Sequence, residues 1–95
     1  MYDLYSGITV QQLRVFLVAA NTQSFSKTAV EVNMTVSSVS RVIASLEAAL
    51  GVTLFERKKQ RITLSSAGQK FYKDLRPIMK HFEIAVNNAR ENAST

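Results

Sequence analysis

The sequence predicts a mainly α domain of three short helices and a two-stranded β hairpin, followed by a long C-terminal helix. Three observations predict it. Apolar residues recur at three- and four-residue spacing in successive blocks up to Gly51. Between Val52 and Ser65 the period shortens to that of strands. From Phe71 to Ala89 a heptad seam takes over. With 95 residues, 46% of them hydrophobic and 20% charged, the chain suits one folded domain with a modest core.

Helix one starts at a capping box, Thr9 with Gln12, and Ile8 and Leu13 stand where a hydrophobic staple would. Leu13, Phe16, Leu17 and Ala20 form its apolar stripe, and "NTQS" (21–24) breaks it. A short second helix follows to about Val32, with Ser26 as N-cap and Phe25–Val30 as a second staple. "NMT" (33–35) is a turn in which Asn33 suits a left-handed conformation. Thr35 caps helix three, whose core stripe is Val39, Ile43, Leu46 and Leu50, and Gly51 stops it. Strands are expected at Val52–Arg57 and Arg61–Leu64, joined by a tip of Lys58, Lys59 and Gln60. The long helix runs from Ser66 to about Glu91, with Phe71, Leu75, Ile78, Phe82, Ala85 and Ala89 on its seam. Pro77 lacks the donor to Lys73 and crowds its carbonyl, which predicts a kink or local break.

Helix three has an unusual outer face. Val36, Ser37, Ser40, Arg41 and Ala44 share one arc, away from the core stripe. A solvated face carries Glu and Lys; this one is small, weakly polar and singly charged, so another surface can approach the backbone closely. Helix two, the tight turn and helix three together form a helix-turn-helix, with Ala29 at the helix crossing and Val39 and Val42 packing helix three back onto helix two. Arg57, Lys58, Lys59 and Arg61 then concentrate positive charge at a hairpin tip. That makes the hairpin a wing able to reach a phosphate backbone or a minor groove. The reading is a winged helix-turn-helix that binds double-stranded DNA, with helix three in the major groove. Its expected contacts are Ser26 and Lys27 of helix two, Thr35, Val36, Ser37, Ser40 and Arg41 of helix three, and Arg57, Lys58, Lys59 and Arg61 of the wing.

The seam, with Tyr72, Met79 and Val86 on an adjoining line, holds more apolar residues than so small a domain can cover. It predicts a homodimer that presents two recognition helices to a pseudo-palindromic operator. The expected division is an arm (1–8), a winged domain (9–65), a linker or dimerisation helix (66–91) and a frayed tail (92–95). Two other readings compete. One is a helical protein-interaction module whose basic tip is merely solvated. The other is a membrane-surface helix over Phe71–Arg90, disfavoured by Asp74, Glu83, the lack of Trp and the narrow seam. The net charge of +5 favours a polyanionic partner without choosing among them.

Other chemistry finds no support. There is no Cys, and His81 is the only His, so no metal site or cofactor is expected. Ser37, Ser38 and Ser40 lack an assignable base, and Gly7, Gly51 and Gly68 stand alone rather than in a phosphate loop, so the chain reads as a non-enzyme. Met34 and Met79 read as filler, and Glu47 as a structural ion pair or part of a solvated face. Neither a signal peptide nor a membrane span is visible, and the expected location is the cytoplasm, at the nucleoid.

From about Ile8 to Ala89 the chain resembles the N-terminal DNA-binding region of LysR-type transcriptional regulators. The features that carry the resemblance are "SFSKTA", "SRVIASLE", "LGVTLFER" and the "LSSAG" that opens the long helix, in family order and spacing. The resemblance implies that helix three is the recognition helix, Arg57 to Arg61 the wing, and the helix from Ser66 the dimerising linker. It departs at Val36 and Ser37, where the family often has Gln then Pro, and at Gln60, where Arg is frequent with Arg61 here beside it. Val36 offers only apolar contact, such as to a thymine methyl. The resemblance also implies that the chain is a DNA-binding fragment of a longer regulator, in which a small-molecule effector acts only through a ligand-sensing domain beyond Thr95.

Overall fold

A computed structural model describes residues 7–93. Its order is α1 (Val10–Thr22), α2 (Phe25–Val32), α3 (Val36–Leu50), β1 (Phe55–Lys58), β2 (Arg61–Leu64) and α4 (Ser66–Ala93). The expected arm (1–8) and frayed tail (92–95) fall largely outside the described residues, although Asn92 and Ala93 belong to α4 rather than to a tail.

Local signals set most boundaries. Thr9 caps α1 through the expected box: its Oγ1 accepts from Gln12 N–H at 3.1 Å, and Gln12 Oε1 accepts from Thr9 N–H at 2.8 Å. Asn33 and Gly51 close α2 and α3 in the left-handed conformation, at φ 57° and 73°. The start of α2 differs from expectation. Ser24, not Ser26, is its cap, and Val30 is 80% exposed, so it staples nothing. The physical reason is a hydroxyl network across the α1–α2 junction. Thr28 Oγ1 donates to the Ser24 carbonyl (2.7 Å) and pairs with Thr22 Oγ1 (2.8 Å), so the buried Thr28 and half-buried Thr22 hydroxyls fix Ser24 at the junction with α1.

The hairpin also starts later than expected. Gly51 and Val52 N–H both donate to the Glu47 carbonyl, and Leu54 N–H donates to the Glu47 carboxylate, so ladder pairing begins only at Phe55. The strands are antiparallel, with Phe55 opposite Leu64, Arg57 opposite Ile62 and Lys58 opposite Arg61, which shrinks the tip to Lys59 and Gln60. Glu47 therefore makes backbone hydrogen bonds, in place of the expected ion pair or solvated face.

Phe16 stands at the centre of the core, fully buried, with its ring 5.1 Å from Phe71 and 5.5 Å from Phe55. Val15, Ala19, Ala29, Val32, Val39, Ile43, Leu46, Leu54, Ile62 and Leu75 complete it. α4 packs on α1, and Tyr72 Oη donates to Asn21 Oδ1 at 2.6 Å. The seam of α4 is thereby divided. Leu75 is only 4% exposed, and Phe71, Tyr72 and Met79 pack against the core, so the domain covers more of α4 than its size suggested. Ile78, Phe82 and Ile84 stay 61%, 45% and 46% exposed. Of the kink or local break expected at Pro77, the break does not occur: α4 is one continuous helix through it. Pro77 is exposed, so the Lys73 carbonyl it leaves without a donor lies on the solvent side.

Candidate nucleic-acid interface

The outer face of α3 is as bare as its sequence implied. Val39, Ile43 and Leu46 are buried, while Val36, Ser37, Arg41 and Ala44 are exposed and Ser40 is half-buried. Thr35 caps the helix: its Oγ1 accepts from Ser38 N–H at 3.1 Å and lies 3.3 Å from Ser37 Oγ. The first turn of α3 thus projects a cluster of hydroxyls beside the apolar Val36, which is 46% exposed.

Next to it stands the wing. Arg57, Lys58, Lys59 and Arg61 are all exposed, and among the described residues none of them forms an ion pair; the pair found there is Lys70–Asp74, far along the chain on α4. Lys58 and Arg61 face each other across the ladder, a like-charge placement that costs the free hairpin stability. Arg57 and Ile62 share the inner face of the hairpin, and the Arg57 guanidinium lies 5.2 Å over the ring of Phe25. Phe25 in turn meets Phe55 edge-on at 6.0 Å, and Ile62 N–H donates to the Gln23 carbonyl at 3.3 Å. These contacts fasten the wing to the start of α2.

The outcome is a groove of about 260 Å³ lined by Ser24, Phe25, Ser26, Val36, Arg57, Lys59, Gln60, Arg61 and Ile62. Of the expected contact residues, it brings together Ser26, Val36, Arg57, Lys59 and Arg61. Lys27, Thr35, Ser37, Ser40, Arg41 and Lys58 stand outside it, on the neighbouring surfaces of α2, α3 and the wing. Ser24, Phe25, Gln60 and Ile62 also line the groove and were not among the expected contacts. An aromatic at the first position of a short helix was the available signal for Phe25, but its role as a platform for Arg57 is a long-range fact. Among the described residues no cluster of potential metal ligands occurs, and no helix is long and apolar enough to cross a membrane.

Comparison with known proteins agrees with this geometry. The family described as "Bacterial regulatory helix-turn-helix protein, lysR family" matches residues 10–69. The chain is 35% identical over 83 residues to the uncharacterized HTH-type transcriptional regulator YgfI of Escherichia coli K12, covering 87% of this chain and 28% of that protein. It is 34% identical over 82 residues to the glycine cleavage system transcriptional activator of the same strain, covering 86% of this chain and 27% of that protein. The chain thus spans little more than a quarter of these relatives. Among solved structures, the BenM_DBD/catB site 1 DNA complex superposes with a TM-score of 0.85 at 27% identity, covering 93% of this chain and 98% of that one. Vibrio fischeri DarR in complex with DNA superposes with a TM-score of 0.83 at 29% identity, covering 92% and 30%. The chain belongs to the LysR family of bacterial helix-turn-helix regulatory proteins.

Proposed function

We propose that this chain binds double-stranded DNA sequence-specifically, as the DNA-binding part of a longer bacterial transcription regulator. The observation that carries the reading is the juxtaposition of a bare α3 face with an un-neutralised basic wing, across the groove that begins at Val36. α3 enters the major groove, where Val36, Ser37, Ser40 and Arg41 meet base edges and nearby phosphates. Ser26 and Lys27 at the start of α2, Thr35, and the wing residues Arg57, Lys58, Lys59 and Arg61 hold the backbone. The similarity to DNA-bound structures supports this docking.

The proposal extends to a homodimer. Phe71 and Leu75 serve the chain's own core, which leaves pairing to Ile78, Phe82, Ala85 and Ala89 on the second half of α4. Two copies would then address a pseudo-palindromic operator from the bacterial cytoplasm, and any small-molecule effector would act through a region beyond this chain. The deciding experiment is a salt titration on duplexes selected from a random pool. Log affinity should fall steeply and linearly with log salt, and the selected duplexes should share a half-site. A flat titration, or a pool without a shared half-site, refutes sequence-specific binding.

A further inference from the structure

Glu47 lies near the C-terminal end of α3, away from the groove at its start. Its carboxylate is half-buried, and Oε2 accepts from Leu54 N–H at 2.7 Å and from Phe55 N–H at 3.3 Å. Its backbone carbonyl accepts from Gly51 N–H at 2.8 Å and Val52 N–H at 3.2 Å. One residue of α3 therefore accepts from four backbone N–H groups, those of Gly51, Val52, Leu54 and Phe55, along the passage into the wing. Carboxylate acceptors make the shorter and stronger hydrogen bonds to amides, so this is a firm tie. From the opposite side, Ser65 Oγ donates to the Thr53 carbonyl (2.6 Å) and Ser65 N–H to the Leu54 carbonyl (2.9 Å). Leu54 is fully buried between the two ties.

The hairpin needs such a tie. Two strands alone are at best marginally stable in water. Beyond the passage, the wing is fastened by the packing of Phe55 and Ile62, the Ile62–Gln23 hydrogen bond and the Arg57–Phe25 contact. Among these, the carboxylate of Glu47 alone links the wing directly to α3 through a charged group, and it touches the first residue of β1.

We propose that Glu47 is a positioning residue, which fixes the angle between α3 and the wing so that both reach one duplex together. This rests on the DNA-binding reading above. Without the tie, α3 can still enter the groove, but Lys58 and Lys59 no longer sit at the height of a phosphate.

The test is a cycle of salt titrations on one selected duplex. The wild-type chain comes first: a flat titration refutes DNA binding itself, and the proposal with it. Given a slope, Lys58→Gln with Lys59→Gln should lower it by about two in the wild type. Glu47→Ala should lower it by about as much, and adding the two Gln substitutions should then change it little. Glu47→Gln, whose amide oxygen keeps an acceptor for Leu54, should restore the slope. If Glu47→Ala does not fold, Glu47→Asp, which shortens the reach by one methylene, takes its place in the same cycle. A purely structural role would lower the melting temperature and leave the slope alone. Should the slope stay at the wild-type value in the Glu47 variant, and the two lysines still contribute in full, positioning by Glu47 is wrong.

Discussion

Gly68→Ala sets two effects of opposite sign against each other. Gly68 is a buried residue in the first turn of α4, and an Ala in a helix is favoured over Gly by about 0.8–1 kcal/mol. Yet a Cβ there would stand 2.1 Å from the Leu54 carbonyl oxygen and 3.0 Å from both Leu54 C and Leu64 Cδ2. Carbon–oxygen contacts settle at about 3.3 Å or more, so the first turn of α4 would have to retreat by about 1.2 Å. The obstacle is backbone, which cannot swing aside. That retreat strains or breaks the bonds from Ser65 N–H to the Leu54 carbonyl (2.9 Å) and from Gly68 N–H to Ser65 Oγ (3.0 Å). Each such bond contributes ~0.5–1.5 kcal/mol, and overpacking adds ~1–3 kcal/mol. The clash wins, by roughly 1–5 kcal/mol net. For a domain of this size each kcal/mol lowers Tm by about 4–8 °C, so the drop is at least about 4 °C. Thermal melts followed by circular dichroism, paired with urea midpoints, measure it. A variant as stable as the parent, or more so, would refute the close approach of α4 to Leu54.

Arg41→Ala should weaken binding to a selected duplex by ~1–3 kcal/mol if Arg41 meets a base, or lower the salt slope by about one if it meets phosphate; unchanged affinity and slope remove it from the interface. Where a selected half-site sets a thymine against Val36, replacing it with uracil deletes one methyl, worth ~0.8 kcal/mol when buried, or about fourfold in Kd. The same swap should cost Val36→Ala less, and equal losses in both proteins would mean that Val36 does not read that base. Ile78→Asp with Phe82→Asp places two charges on the exposed apolar seam of α4 without touching the core, and should give a folded monomer in sedimentation that no longer prefers palindromic spacing. A dimer that survives both changes must be held elsewhere.

What the sequence made legible was local. The Thr9–Gln12 box, the Thr35 cap and the left-handed Asn33 and Gly51 each depend on residues within a turn of one another, so composition and order suffice to find them. The exposed arc of α3 was legible for a similar reason, because helical period alone decides which residues share a face. The failures involve partners from other elements. Ser24 displaced Ser26 as the cap of α2 because Thr22 and Thr28 hold it. β1 began late because Glu47 captures Leu54 N–H from seven residues away. The role of Gly68 depends on a carbonyl in the approach to β1. The seam of α4 was visible as an apolar line, but period cannot say what covers each part of it; Phe16 claims Phe71, and Ile78 is left in water.

The wing also departs from local rules in ways that bear on its partner. Lys58 faces Arg61 directly, although a Glu at either position would turn a repulsion into a pair worth ~0.2–1 kcal/mol. Lys59 holds φ at 56°, a conformation that costs a residue with a Cβ ~1–2 kcal/mol relative to right-handed backbone. Gln23 and Asn33 also take positive φ, but there it ends a helix and satisfies backbone groups. At Lys59 the strained residue instead carries one more charge to the hairpin tip. A tip that was merely solvated would gain stability from Gly at 59 and an acid at 58 or 61, and nothing in the fold forbids either, since all these side chains are exposed. The charge part of this cost disappears when phosphates surround the tip, whereas an apolar protein partner would increase it by desolvating the cations. The local energetics of the wing therefore favour a polyanion over an apolar protein surface, and they do so independently of the shape of α3.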